Sequence, residues 1–291
     1  MEHYVPERTV RLRDGRALGY AEFGDPAGRP LLYFHGFPGS RIEAALGDAV
    51  ARARGVRLVG VDRPGIGLSD FLDGRSIPDW PADVAELADA LGFGRFAVVG
   101  VSGGGPYALA CAWKIPERLD AACVIGGLGP FDGSAAVQDM MGLGRFALSL
   151  PQHAPWAVQP LFQAAAWGIG AQAEALVDFL AGSLPEPDRS ALDDPGVRRV
   201  LAESYREAVR QGGRGAGAEA GLYGGPWGFR LEDIAMEVDL WHGERDSVVP
   251  VAMGRLQARA IPRCRAKILP EEGHFSLPIR RMGEILDALM P

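Results

Sequence analysis

The apolar positions in the first 130 residues fall into short, nearly continuous runs. Pro30-Leu31-Leu32-Tyr33-Phe34 and residues 56–61, 96–101 and 121–126 are each five or six residues long. Runs of that length, rich in Val, Leu and Ile and bounded by turn residues, predict buried strands. Between them, residues 41–54 predict a helix stopped at Gly55. Residues 79–91 predict another, with Pro81 in its first turn and Gly92 past its end. The start of the chain follows a different rule. Thr9 to Arg13 and Arg16 to Phe23 alternate on either side of Asp14-Gly15, which predicts a β-hairpin. Buried strands alternating with helices imply right-handed βαβ units and a mainly parallel sheet.

The pattern breaks after Gly129-Pro130. Residues 131–233 contain no convincing strand and show helical stretches near 137–150, 155–169, 173–184 and 197–210. Glycine-rich residues 214–228 predict a loop or a short irregular helix. Alternation then resumes, with strands at 237–241 and 265–269 and helices at 251–260 and 282–290. The expected architecture is therefore α/β: a mainly parallel, doubly wound core from residues 1–130 and 234–291, interrupted by a helical lid or cap over 131–233. There is no internal repeat.

Composition narrows the partners. The 291 residues are 47% hydrophobic and 23% charged, with a net charge of −7 and no cluster of Lys and Arg to offset it. Nucleic acid and anionic membrane are therefore not expected partners, and a small-molecule substrate is. No apolar run is long enough to span a membrane, and Met1 to Arg8 lack the apolar core of a signal peptide. Cys111, Cys123 and Cys264 are odd in number and far apart, so free thiols in a reducing cytoplasm are expected rather than disulfides or a metal site. No H-E-x-x-H, paired C-x-x-C or phosphate loop occurs, and Gly65-Ile66-Gly67 is too short for a dinucleotide fingerprint; no cofactor is expected. Monomer and homodimer both stay open.

The candidate chemistry centres on Gly100-Val101-Ser102-Gly103-Gly104, which matches G-x-S-x-G. It lies between a β-branched run and an Ala-rich segment with Pro106 in its first turn. In that strand-to-helix context the serine sits on a sharp turn that exposes its hydroxyl at the positive end of a helix.

Three further motifs accompany it: His35-Gly36-Phe37-Pro38-Gly39, Asp62 through Asp70, and Trp241-His242-Gly243-Glu244-Arg245-Asp246 followed by Gly273-His274. With these in order, the chain resembles the α/β-hydrolase fold superfamily, in its serine-nucleophile branch with a helical lid. The resemblance implies a triad of Ser102, Asp246 and His274. It also implies an oxyanion hole from the backbone N–H groups of Phe37 and Gly103, on a loop supported by His35 and Gly36. Chemistry is consistent with this assignment: a serine hydroxyl needs a base to take its proton, and the base needs a third group to fix its tautomer. Asp132, which follows the strand after the nucleophile, remains a rival acid. His242 is better read as structural, Asp62 and Arg63 as braces of the sheet rim, and Ser40, Ser69 and Ser276 as caps or loop hydroxyls.

The region between Gly133 and Gly170 is apolar, with Asp139 and Arg145 as its only carboxylate and guanidinium. Most of its aromatic side chains must pack it onto the core. Met140, Phe146 and Trp167, with Trp227 further along, are the expected lining of an apolar pocket. The expected activity is hydrolysis of a carboxylic ester, lactone or thioester of a small, largely apolar substrate through an acyl-enzyme. A serine at the nucleophile position argues against the haloalkane dehalogenase and epoxide hydrolase branches. Alternatives are carbon–carbon or amide hydrolysis, a biosynthetic cyclase or lyase step with the same triad, or a receptor-like protein with little turnover.

Overall fold

The computed structural model describes residues 7–131, 140 and 142–290. Strands β1 (Arg8–Arg11) and β2 (Ala17–Gly24) form the hairpin around Asp14-Gly15, where Gly15 takes φ +89°. Next come β3 (Arg29–Phe34), a 3-10 helix at Arg41–Gly47 leading into α1 (Asp48–Ala53), and β4 (Val56–Val61). They are followed by α2 (Trp80–Ala90), β5 (Phe96–Val101), α3 (Gly105–Lys114) and β6 (Leu119–Ile125).

Between β6 and β7 the described residues form only helices. These are α4 (Gly142–His153), α5 (Pro155–Ala171), α6 (Ala173–Ser183), α7 (Glu186–Leu192), α8 (Pro195–Ala208) and α9 (Arg214–Gly224), with a final 3-10 turn at Leu231–Asp233. The chain closes with β7 (Val238–Gly243), α10 (Val251–Ala260), β8 (Cys264–Leu269) and α11 (Ser276–Leu289).

The eight strands lie in the order β1-β2-β4-β3-β5-β6-β7-β8. β1 and β2 pair antiparallel, as do β2 and β4; the pairings from β4 through β8 are parallel. Alternate residues of each central strand feed two cores. Phe96 and Val98 of β5 pack with Trp80, Leu87, Tyr107 and Leu109 of α2 and α3 on one face. Ala97 and Val99 pack with Ala51, Ile285 and Leu286 of α1 and α11 on the other. Because both faces are covered, the strands read as continuous apolar runs rather than alternating ones.

Four elements differ from the sequence expectation. The helix expected over 41–54 divides: Ser40 caps a 3-10 segment, its Oγ accepting from Ile42 N at 3.4 Å, before α1 begins. Helix α7 was not expected, and α11 starts six residues earlier than 282 (276 against 282). Residues 214–224 form three regular turns of helix, with Glu219 and Tyr223 buried, where a loop or a short irregular helix was expected. Asp132, Asp139 and Met141 lie outside the described residues. Among the described residues no helix is long and apolar enough to cross a membrane.

Candidate active site

Ser102 is the only non-glycine residue among those described with positive φ, at +54°. A left-handed serine stores roughly 1–3 kcal/mol of strain and persists only where its surroundings fix it. Here the flanking glycines do so. A Cβ on Gly100 would stand 2.2 Å from the carbonyl oxygen of Gly104, and one on Gly104 would stand 2.0 Å from that of Phe34. The turn therefore requires glycine at both positions. A 3-10 turn, Ser102–Gly104, runs directly into α3 and puts the hydroxyl at a helix N-terminus, where backbone N–H groups lack helical acceptors.

The loop after β8 brings His274 across to it. His274 Nε2 lies 3.1 Å from Ser102 Oγ, and Nδ1 lies 2.8 Å from Asp246 Oδ2. With Nδ1–H donating to the carboxylate, Nε2 is left to accept from the hydroxyl. The loop after β7 supplies Asp246, whose Oδ1 accepts from Val248 N at 2.9 Å and Val249 N at 2.8 Å. All three side chains are buried or nearly so. Burial opposes charge on His274, but the Asp246 carboxylate outweighs it and raises the imidazole above its ordinary value of 6.5. His242 stands on the far side of Asp246, 3.5 Å from its Oδ2, and donates Nε2–H to Val249 O at 2.8 Å.

The loop after β3 lies against this turn: a Cβ on Gly103 would stand 2.8 Å from Phe37 Cβ and 3.3 Å from Phe37 N. That loop is held from two sides. On one, Gly36 N donates to both oxygens of Glu43 at 3.1 Å, and Tyr33 Oη donates to the same carboxylate at 2.8 Å. Burial pushes the Glu43 carboxyl up, although those donors hold it down in part. On the other side, Arg63 donates to the carbonyls of His35 and Gly36 at 2.5 and 3.0 Å. His35 donates Nδ1–H to Gly36 O at 2.9 Å and accepts from Arg63 N at 3.4 Å. Burial and the Arg63 charge hold His35 well below its ordinary range, so it is a neutral brace.

Behind Arg63 lies a buried cluster centred on Glu219 of α9. Glu219 takes a two-pronged bond from Arg63 at 2.5 and 2.9 Å, with Arg75 at 3.2 Å and the hydroxyls of Tyr107 and Tyr223 at 3.0 and 3.2 Å. Asp62 likewise braces the rim: it accepts from Arg41 N and Arg41 Nη1 at 2.7 Å and from Leu68 N at 3.0 Å. Ser40, Ser69 and Ser276 serve as cap or loop hydroxyls, Ser69 Oγ donating to Asp62 O and Ser276 Oγ accepting from Gly273 N.

A narrow cavity, open to solvent at its mouth, adjoins Ser102 and His274. Its walls include Leu46, Val101, Phe275, Ile279 and Met282 of the sheet region and Leu201 and Tyr205 of α8, with Glu43 as its carboxylate. The expected pocket residues lie elsewhere. Met140 and Trp227 are buried in the packing against α2 and α3, and Phe146 and Trp167 are 55% and 74% exposed on α4 and α5. Their hydrophobicity was legible, but the face each presents was not. The sequence reading also missed Glu43, Asp188 and Glu219. Glu43 carries no motif of its own, and the other two act on residues far along the chain.

A family model of the alpha/beta hydrolase fold matches residues 29–279. A non-heme haloperoxidase of Rhodococcus erythropolis is 26% identical over 91% of this chain and 92% of its own. A non-heme chloroperoxidase of Streptomyces lividans is 32% identical over 42% of this chain, and a proline iminopeptidase of Xylella fastidiosa 35% identical over 36%. Those two matches span only 45% and 34% of the relatives' own lengths. Among solved structures, a bromoperoxidase from Bacillus anthracis superposes with a TM-score of 0.71 at 20% identity, covering 98% of this chain and 99% of that one. With a strained serine between two obligatory glycines, a mainly parallel sheet covered on both faces, and a family match from the third strand into the last helix, the chain belongs to the alpha/beta hydrolase fold family of enzymes.

Proposed function

We propose that this protein is a serine hydrolase that cleaves a carboxylic ester, lactone or thioester of a small, largely apolar substrate through an acyl-enzyme. The observation that carries it is the relay from Ser102 Oγ through the His274 imidazole to Asp246, at 3.1 and 2.8 Å, opening into an apolar cavity. In this scheme His274 takes the proton of Ser102 as Oγ attacks the carbonyl carbon. The developing oxyanion is held by the N–H groups of Phe37 and Gly103, and His274 returns the proton to the leaving group. A water, deprotonated by the same imidazole, then releases the acid. Asp246 rather than Asp132 acts as the orienting carboxylate. Residues 131–233 serve as a lid over a core from 1–130 and 234–291, since Leu201 and Tyr205 of α8 close the cavity. The three free cysteines fit a cytoplasmic setting.

The test is direct. The intact protein is expected to hydrolyse short-chain nitrophenyl esters. It is also expected to react with a fluorophosphonate probe at one serine, located by peptide mass spectrometry at Ser102, with turnover lost in step with labelling. Labelling at Ser102 without ester turnover would favour carbon–carbon or amide cleavage by the same residues. Neither labelling nor turnover would leave only the receptor-like alternative.

The base also sets a pH dependence. His274 acts in its neutral form, and Asp246 raises its pKa above 6.5 against the opposing effect of burial. The acid limb of kcat/KM is therefore expected to have its midpoint above 6.5, activity falling as pH falls through it. A pH–rate profile on a neutral ester checks this, and a midpoint well below that value would remove His274 from the role of base.

A further inference from the structure

Asp188 lies on α7, 86 residues before His274 in the chain, and is fully buried. Its Oδ2 accepts from His274 N at 2.9 Å, and its Oδ1 accepts from Phe275 N and Ser276 N, both at 2.9 Å. These N–H groups lie at the start of α11, where the helix offers no acceptor, and the Phe275 side chain supplies no cap. The cap comes instead from the helical segment between β6 and β7. The fit is close: a Cβ on Gly273 would stand 2.5 Å from both Asp188 oxygens. With Ser276 Oγ accepting from Gly273 N at 2.7 Å, four successive backbone N–H groups around the imidazole are engaged.

We propose that Asp188 is a positioning residue for the base: it fixes the backbone of His274 and sets a negative charge behind the imidazole. The helical segment therefore shapes the base as well as covering the cavity. Asp188 acts alongside the other charges that face His274, namely Asp246 from the loop after β7 and Glu43 from the 3-10 helix before α1, with His242 behind Asp246. Each of the three carboxylates favours the imidazolium, Asp246 most strongly. The kinetic consequences rest on the serine hydrolase reading above.

Asp188→Asn keeps the shape of the side chain and one acceptor oxygen but turns an amide N–H toward one of its donors and removes the charge. It is expected to lower kcat on a nitrophenyl ester by about 10-fold or more, with KM within about twofold and the acid limb of kcat/KM moved to lower pH. Asp188→Ala is expected to cost on the order of 10²-fold, the scale of an ångström-sized misplacement of a reacting group. Gly273→Ala, which drives the carboxylate away without removing it, should also lower kcat, and it decides the matter if the Asp188 variants do not fold. A lowered melting temperature with wild-type kcat and an unmoved acid limb, in whichever variant folds, would overturn the proposal. If the wild type itself neither turns over ester nor labels at Ser102, the hydrolase reading fails instead. NMR titration of His274 in wild type and Asp188→Asn then tests Asp188 alone: a lower imidazole pKa in the variant supports the placement, and an unchanged one refutes it.

Discussion

Ser102→Ala is expected to lower kcat on a nitrophenyl ester by about 10⁵–10⁶-fold, to leave KM nearly unchanged and to abolish fluorophosphonate labelling. The size follows from how the three side chains act as a unit: without the hydroxyl there is no bond for His274 to assist, and the oxyanion donors alone accelerate attack by water only modestly. The fold should survive, because alanine fits the space and Ser102 Oγ makes its hydrogen bond to His274 rather than to the backbone. Alanine inherits the positive φ of +54°, so the local strain stays. Ser102→Gly, which relieves it, should instead melt at a higher temperature while being equally inactive, since a left-handed non-glycine residue costs about 1–2 kcal/mol. Higher stability with no activity is the mark of strain held for function. Turnover by Ser102→Ala within tenfold of wild type would place the chemistry elsewhere.

The elbow was legible in the sequence because its constraint is local. Glycines two before and two after the serine are demanded by contacts within a single turn and by one neighbouring strand end, Phe34. The strands were legible for a related reason: a sheet covered on both faces makes continuous apolar runs. His274 and Asp246 were candidates through the family resemblance, with Asp132 open as a rival acid, and the strands that precede them agree, because parallel strands deliver their carboxyl ends to one rim. What was not legible depends on partners far apart in sequence. Residues 214–228 read as a loop or a short irregular helix because glycine is a poor helix former. In the structure those glycines let backbones touch: a Cβ on Gly215 would stand 2.1 Å from the carbonyl oxygen of Gly65, and one on Gly224 would stand 2.1 Å from that of Leu148. Tertiary contact outweighs propensity there, and it carries Glu219 to Arg63. Helix α7 was hidden by Pro185 and Pro187, the second of which sits harmlessly in its first turn. Helix α5 posed the opposite problem. It has no charged residue along its length, so the pattern gave no indication which face is buried, and Trp167 proved to point outward.

Glu219→Ala is expected to destabilise the protein by about 3–5 kcal/mol, the usual cost of removing one partner from a buried ion pair. For a chain of this size that corresponds to a fall in Tm on the order of 10 °C. The cause is the charge left behind. Arg63 is fully buried and Arg75 nearly so, and without Glu219 both are left beside the ring of Tyr107 without the carboxylate they share. The effect should depend on pH, with a definite sign. Burial alone would raise the Glu219 pKa, but the two guanidiniums overcome it and bring it from 4.5 to about 2. A carboxyl depressed on folding stabilises fully above its unfolded value and loses that contribution as pH falls toward its folded one. The gap in Tm between wild type and Glu219→Ala should thus be constant near neutrality and narrow as pH falls from about 5 toward about 2. Activity should fall along with stability, because Arg63 also donates to the carbonyls of His35 and Gly36, and loosening it frees the loop that carries Phe37 N. A kcat reduced by roughly 10–100-fold at a temperature where the variant is fully folded would tie the cluster to the oxyanion loop. Equal melting temperatures at neutral pH would mean that water or a neighbouring acceptor relieves the two arginines, and that the cluster does not hold the loop.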